Sequence, residues 1–259
     1  MQKFCYKCGA LEEEKGPLIE GLCQDCFTSE HPLIKTPDQV ELRVCGQCGA
    51  YFLNNKWHDP REKSELSLLR ASEELVHSEI KVAQVQPTGV RYVNLEEASG
   101  IDVELESESV PQGIKVGIRA RGKIHESQES SQTAEGVVRV KVETTTCDVC
   151  SRKSAGYYEA ILQVRGEAPL SRKRLREVYQ VLESTFLEEQ SRNRGEFVSK
   201  IEEKHGGLDL YTSSTTLARR LAEALKEKYG AKTDESSKLI GQTSDGRKKY
   251  RVSIVARLP

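Results

Sequence analysis

Long apolar runs are missing from these 259 residues. No stretch approaches the ~18 consecutive apolar residues that a membrane-crossing helix requires, so no transmembrane helix and no membrane partner are expected. The opening residues, Met1 to Cys5, hold no apolar core followed by a cleavage site, which argues against a secretory signal. Catalytic constellations are missing as well. The five histidines, His31, His58, His77, His125 and His205, fall into no HExxH or related spacing. The run from Gly241 to Gly246 has the spacing of a phosphate-binding loop, but Arg247 and Lys248 follow where Lys-Ser or Lys-Thr is needed. It also falls between two expected strands instead of ahead of a helix. Every cysteine belongs to a pair, so no free thiol is available as a nucleophile. The acidic runs, Glu12 to Glu14 and Glu96 to Glu97, are sequence neighbours that solvation explains. These absences lead to the expectation of a non-enzymatic protein of the cytoplasm, where thiols stay reduced.

Charged residues make up 31% of the chain and the hydrophobic set 37%, and the length suffices for two or three small domains with their own cores. The formal net charge of −1 conceals two unlike halves. Residues 1–150 carry 17 Lys and Arg against 25 Asp and Glu, whereas residues 151–259 carry 22 against 15. Ordinary surface variation is the bland explanation. A basic second half that meets an anionic partner is the reading favoured here, with RNA the obvious anion.

All eight cysteines fall into four CxxC pairs: Cys5/Cys8, Cys23/Cys26, Cys45/Cys48 and Cys147/Cys150. A CxxC turn sets two thiolates on one side of a tight loop, a suitable bite for a tetrahedral ion with Zn–S near ~2.3 Å. Two such turns complete a closed four-cysteine site with no open position for water, which is a structural and not a catalytic geometry. A redox CxxC occurs once, beside a βαβ pattern, and the cysteine spacings of iron–sulfur proteins are absent. Two zinc ions are therefore expected. Gly9 and Gly49 follow Cys8 and Cys48, and a glycine there can adopt positive φ and turn backbone N–H groups toward the sulfurs. Cys23/Cys26 lacks that glycine and reads as the start of a short helical turn, as in a treble clef. Four turns can be matched in three ways. Chain proximity favours Cys5/Cys8 with Cys23/Cys26, 14 residues apart, which leaves Cys45/Cys48 for Cys147/Cys150 across 98 residues. Each zinc contributes on the order of ~10 kcal/mol of apparent folding free energy.

Periodicity sets the remaining organisation. Residues 61–83 are helical in pattern, with Leu66, Leu69, Val76 and Ile80 on one face. After Pro87 the period becomes two: Ile101, Val103 and Leu105, then Ile114, Val116 and Ile118, then Val138, Val140 and Val142. Residues 126–135, whose one apolar residue is an alanine, read as a mobile loop. In the last hundred residues, strands are expected at 158–164 and 208–211 and helices at 171–189 and 214–229. Leu175, Val178, Leu182 and Phe186 form the buried stripe of the first helix, and Leu217, Leu221 and Leu225 that of the second. Two final strands meet at Ser244 to Gly246, with Tyr250, Val252, Ile254 and Ala256 as the inner face of the last one. The fold class is α+β. A tandem zinc-ribbon and treble-clef region, with four cysteines to each zinc, occupies residues 1–60. A helix and an antiparallel β insertion that closes the second zinc site occupy 61–150, and a small basic α+β domain occupies 151–259.

The two CxxC groups with their long insertion, the run Gly207 to Tyr211, the helix bearing Ala218 and Arg219, and the segment Ser237 to Ile240 together resemble the Nmd-three family. Members of that family are adaptors for nuclear export of the large ribosomal subunit. The resemblance covers nearly the whole chain and is carried chiefly by the cysteines. With no initiation-factor-like domain or export tail read after residue 259, the short archaeal form is the expected match. It implies a ribosome-associated factor that binds the intersubunit face of the large subunit, rRNA and ribosomal proteins, near the tRNA sites. Its implied role is late subunit maturation or a block on premature subunit joining. It also implies a GTPase partner and a monomer when off the ribosome. The alternative class is a zinc-ribbon adaptor in another protein or transcription complex. RNA contacts are expected at Arg172, Lys173, Arg174 and Arg176, at the start of the first C-terminal helix, where exposed cations and a helix N-terminus suit phosphate. Arg219 and Arg220 follow, with Arg192, Arg194 and Arg247 to Lys249 as weaker candidates. Tyr6, Phe52 and Trp57 are suited to stacking on bases, although packing around the zinc ribbon is the weightier role.

Overall fold

The computed structural model describes residues 3–60, 64–86, 89–125, 128, 130–242 and 246–259. The chain forms two compact units, one ending at Thr145 and the other beginning at Thr146. No helix among the described residues is long and apolar enough to cross a membrane.

The first unit contains α1 (Glu12–Lys15), α2 (Gln24–Glu30), β1 (Ile34–Lys35), β2 (Gln39–Cys45), β3 (Tyr51–Leu53), β4 (Lys56–His58), α3 (Ser64–Glu79), β5 (Lys81–Gln86), β6 (Gly89–Asn94), β7 (Ile101–Val110), β8 (Gly113–Gly122) and β9 (Gln132–Thr145). Six strands form one sheet in the order β4-β3-β2-β9-β8-β7, and β1, β5 and β6 form a second. The alternation expected of a half-buried sheet is clearest in β8. Ile114, Val116, Ile118 and Ala120 are buried, while Lys115, Arg119 and Arg121 between them are exposed. The pairing of β2 with β9 is parallel and runs from Gln39↔Arg139 to Cys45↔Thr145. Two strands far apart in the chain thus finish side by side.

Helix α3 covers the apolar face of this sheet, with Val76 and the following Ile80 buried and Leu69 packed against the core as expected, but Leu66 departs from the stripe. Leu66 is 49% exposed, and the buried positions are Ser67, Ala71, Ser72 and Val76. Small side chains let the helix approach the strands closely, and the buried Ser72 hydroxyl is satisfied by donating to the Leu68 carbonyl at 2.8 Å. A hydrophobic-periodicity reading gives no weight to serine and so includes Leu66 and overlooks Ser67 and Ser72. The expected loop at 126–135 is also shorter. Gln132–Glu135 already belong to β9, and Gln128 is buried, its Oε1 accepting from the backbone N–H groups of Ile124 and His125 at 2.6 and 2.9 Å. The amide side chain there replaces a backbone turn acceptor. Residues 126, 127 and 129 lie outside the described residues.

The second unit contains α4 (Asp148–Ser154), β10 (Ala160–Gly166), α5 (Arg172–Arg192), β11 (Val198–Lys204), β12 (Gly207–Thr212), α6 (Thr215–Tyr229), β13 (Lys232–Gln242) and β14 (Lys248–Leu258). Its sheet has the order β11-β12-β10-β14-β13, with β10 and β14 parallel and every other pair antiparallel. Leu217, Ala218, Leu221, Ala222 and Leu225 of α6 pack with Leu162, Val164, Leu210 and Ile254 in one core, joined by Val178, Val181 and Leu182 of α5. Leu175 and Phe186, expected in the α5 stripe, are only half-buried at its rim. Both helices start on a serine. The Ser171 hydroxyl accepts from the N–H of Arg174, and that of Ser214 from Leu217.

Strand β11 has no counterpart in the sequence reading, because a mostly polar edge strand with no fully buried residue shows no apolar alternation. It joins β12 through a two-residue turn at His205 and Gly206, both with positive φ (52° and 70°). Tyr250 is 47% exposed instead of inward, because β10 begins to pair with β14 only at Val252, which leaves β13 as the one paired strand beside Tyr250. The tip, Ser244 and its neighbours 243 and 245, lies outside the described residues.

One ion pair is enclosed in this sheet. Arg165 Nη2 meets Asp209 Oδ1 at 2.5 Å with side-chain exposures of 13% and 7%, and Nη1 donates to the carbonyls of Val164 and Leu208. Deleting one partner strands the other charge out of water. Asp209→Ala is expected to lower unfolding free energy by about 3–5 kcal/mol. Urea denaturation of variant and wild type checks this, and a loss below about 1 kcal/mol contradicts it.

Candidate metal centres

The eight cysteines converge in two groups of four. Cys5, Cys8, Cys23 and Cys26 form one, and Cys45, Cys48, Cys147 and Cys150 the other; within each, the sulfurs lie within 4.8 Å of one another. A tetrahedron with Zn–S near ~2.3 Å has sulfurs about 3.8 Å apart, and Cys8 and Cys23 stand at 3.7 Å. The geometry thus selects one of the three pairings open at the level of sequence.

Each centre is assembled from the same two parts. The first is a turn: Cys5 N–H donates to Ala10 and Gly9 N–H to Cys5, at 2.8 Å each, and Cys45 N–H donates to Ala50 and Gly49 N–H to Cys45, at 2.7 and 2.9 Å. Gly9 and Gly49 adopt φ of 76° and 75°, which only glycine takes without strain. The second part is a helix start. Cys23 is the N-cap of α2 and Cys147 that of α4, so that Cys26 and Cys150 lie in the first turns. The Cys147 sulfur accepts from the N–H of Cys150 at 3.4 Å. A helix N-terminus favours anionic sulfur through its unpaired N–H groups and its dipole.

Proton affinities in the first centre are strongly divided. Burial opposes ionisation of Cys5, yet the backbone N–H groups of Cys23, Cys8 and Lys7 outweigh it and bring the thiol down to about 6. Cys26 is pushed up to about 12 by burial and by its thiol neighbours Cys23, Cys8 and Cys5. One site has donors ready for a thiolate, and further ionisation is resisted first by burial and then by the neighbouring thiols. A divalent cation among four sulfurs removes that resistance. The donor set, the spacing and the closed fourfold ligation fit zinc, and these are two zinc sites.

Two family models match consecutive parts of the chain. One, described as NMD3, N-terminal domain, covers residues 5–155, and one, described as NMD3, second domain, covers residues 157–258. The chain belongs to the NMD3 family. No curated protein matches it at a significant level. The NMD3 N-terminal match encloses all eight cysteines, and the second match begins just after α4.

The basic candidates separate on inspection of their partners. Arg219 is engaged by Glu235 through two hydrogen bonds at 2.6 and 2.9 Å, and Arg220 pairs with Glu223 at 3.1 Å. Arg174 pairs with Glu177 and lies over the Tyr229 ring, 4.2 Å from its centroid. Arg172, Lys173 and Arg176 are exposed. Arg194 has a role that charge counting does not suggest. Its guanidinium donates to the Cys147 sulfur at 3.4 Å and to Asp148 at 2.8 Å, a charge-assisted support for a metal ligand. Its 47-residue separation from Cys147 left no signal in the sequence. Tyr6 is 65% exposed, while Phe52 stacks edge-on against Trp57 and under Arg43.

Replacing Cys45 and Cys48 by Ser is expected to halve the zinc content from two ions to one and to open the β2–β9 region to protease. Replacing Cys5 and Cys8 should also remove one ion while sparing β2–β9. Elemental analysis with limited proteolysis separates the two variants, and a Cys45/Cys48 variant with two ions and intact resistance contradicts the second centre.

Proposed function

We propose that this NMD3-family chain is a non-enzymatic factor of the large ribosomal subunit. It binds rRNA and ribosomal proteins near the tRNA sites of the intersubunit face and acts in late maturation or against premature subunit joining. The observation that carries this reading is the succession of two NMD3 domain matches across residues 5–258. The metal centres support it. Each gathers four protein ligands, so the zinc ions serve as architecture and offer no open position to a substrate. The charge distribution supports it as well, since the residues after 150 carry the basic surplus that an RNA partner requires. A GTPase partner and a monomeric free state belong to the same proposal, as does a cytoplasmic location.

Sedimentation of the tagged protein from a native lysate through a sucrose gradient tests the proposal. Co-migration with free large subunits, and depletion from joined ribosomes, is the expected result. Retention at the top of the gradient at low salt overturns it, and the adaptor reading then takes its place.

A further inference from the structure

Strands β13 and β14 continue beyond the sheet that holds them. β10 pairs with β14 from Val252 to Leu258, but β14 pairs with β13 from Lys248 onward. Four residues, Lys248 to Arg251, therefore have a neighbour on one side only. β13 is the sheet edge, and all eleven of its residues are exposed. The result is a two-stranded ribbon that projects past β10, bulged between Leu239 and Gly241.

Charged, bulged edges protect against strand addition, and that explanation accounts for the lysines alone. It does not account for Leu239, Ile240 and Tyr250, which are 52%, 41% and 47% exposed on the same short ribbon. Lys238, Lys248 and Lys249 have no carboxylate partner among the described residues, in contrast to Arg174, Arg219 and Arg220. Strand alternation sends Lys248 and Tyr250 to one face and Lys249 and Arg251 to the other, so both faces carry cations.

At the root of the ribbon the cations are interleaved with tyrosines. The Arg251 guanidinium lies 4.0 Å from the Tyr158 ring centroid, and Tyr158 meets Tyr211 edge-on at 4.9 Å. Lys249 is 5.7 Å from the Tyr157 ring. Two carboxylates among the described residues of this area are engaged. Glu159 accepts from the Tyr157 hydroxyl at 2.6 Å, and Glu202 pairs with Lys200 and Lys204 at 2.5 and 2.7 Å. Cations that follow a phosphate backbone, set among aromatic rings on which unpaired bases stack, are the two components of a single-stranded nucleic-acid surface.

We propose that the projecting β13–β14 ribbon, with Tyr157, Tyr158 and Tyr211 at its root, binds single-stranded RNA. The proposal rests on the ribosomal reading for the identity of that RNA, an unpaired segment of rRNA. It places the principal contact on the ribbon and not on the α5 N-terminus.

The test uses the full zinc-loaded chain and a fluorescein-labelled, mixed-sequence single-stranded RNA of about fifteen nucleotides, within the span such surfaces cover, titrated by fluorescence anisotropy across a salt series. Tyr250→Ala is expected to weaken binding roughly tenfold, the scale of one lost base stack. Lys248→Glu with Lys249→Glu should weaken it at least as much and lower the magnitude of the salt slope by about 1.4, the amount for two single-strand phosphate contacts. Arg172→Glu with Lys173→Glu should change affinity less than twofold. All these side chains are exposed, so unchanged zinc content and melting temperature confirm folding. Equal binding by wild type and ribbon variants overturns the proposal, as does absence of binding by wild type at low salt. A ribbon variant that binds no less RNA yet leaves the large-subunit fraction shows a protein-binding surface instead, which also overturns it. Failure of the ribosomal reading is separate, since wild type then stays at the top of the gradient whatever the RNA titration gives.

Discussion

Four thiolates crowded within a few ångströms repel one another, and a divalent cation is what allows them to stay there. In the second centre that attraction acts on chain segments separated by 98 residues. Closing a loop of about that length costs several kcal/mol of chain entropy in the unfolded reference, and the ~10 kcal/mol scale of a structural zinc exceeds it. The parallel β2–β9 ladder depends on the same closure. Its last pair is Cys45↔Thr145, and Cys147 follows two residues later. Sheet register and metal geometry therefore specify one another. A one-residue slip of β9 would reverse the faces of Val138 and Val140 and carry Cys147 out of reach.

The zinc ligands were legible because four repeats of CxxC impose a spacing that little else explains. The helices α5 and α6 and the alternation in β8 and β9 were legible for a related reason, since their periods are local. What escaped the sequence is of another kind. Part of the α3 face is lined by Ser67 and Ser72, which a hydrophobic period does not register, and β11 is polar throughout most of its length and shows no such period. Gln128 substitutes a side-chain amide for a backbone acceptor, and Arg194 supports Cys147 from a distant part of the chain. Tyr250 continues an alternating strand correctly, but its burial depends on where β10 begins. Each depends on the neighbours a residue meets in space.

Charge followed the same division. The surplus of cations after residue 150 was plain in composition, yet the partners of individual cations were not. Arg219 and Arg220 are spent on Glu235 and Glu223, whereas Lys238, Lys248 and Lys249 of the β13–β14 ribbon meet no carboxylate among the described residues. A pair of ions at a surface gains little stability, but it does withdraw a cation from use by a polyanion. The distribution of carboxylates thus decides which part of a basic unit is electrostatically active.

The long interval between Cys45/Cys48 and Cys147/Cys150 also has a consequence in time. Chains emerge from synthesis N-terminus first at about 5–20 residues per second. The first centre has all its ligands after Cys26, whereas Cys45 and Cys48 wait for 98 further residues, on the order of 5–20 seconds. Through that interval the nascent chain presents two thiols with no second pair to share a metal. The first centre is therefore the earlier to load, and the order of the cysteines along the chain becomes an order of assembly.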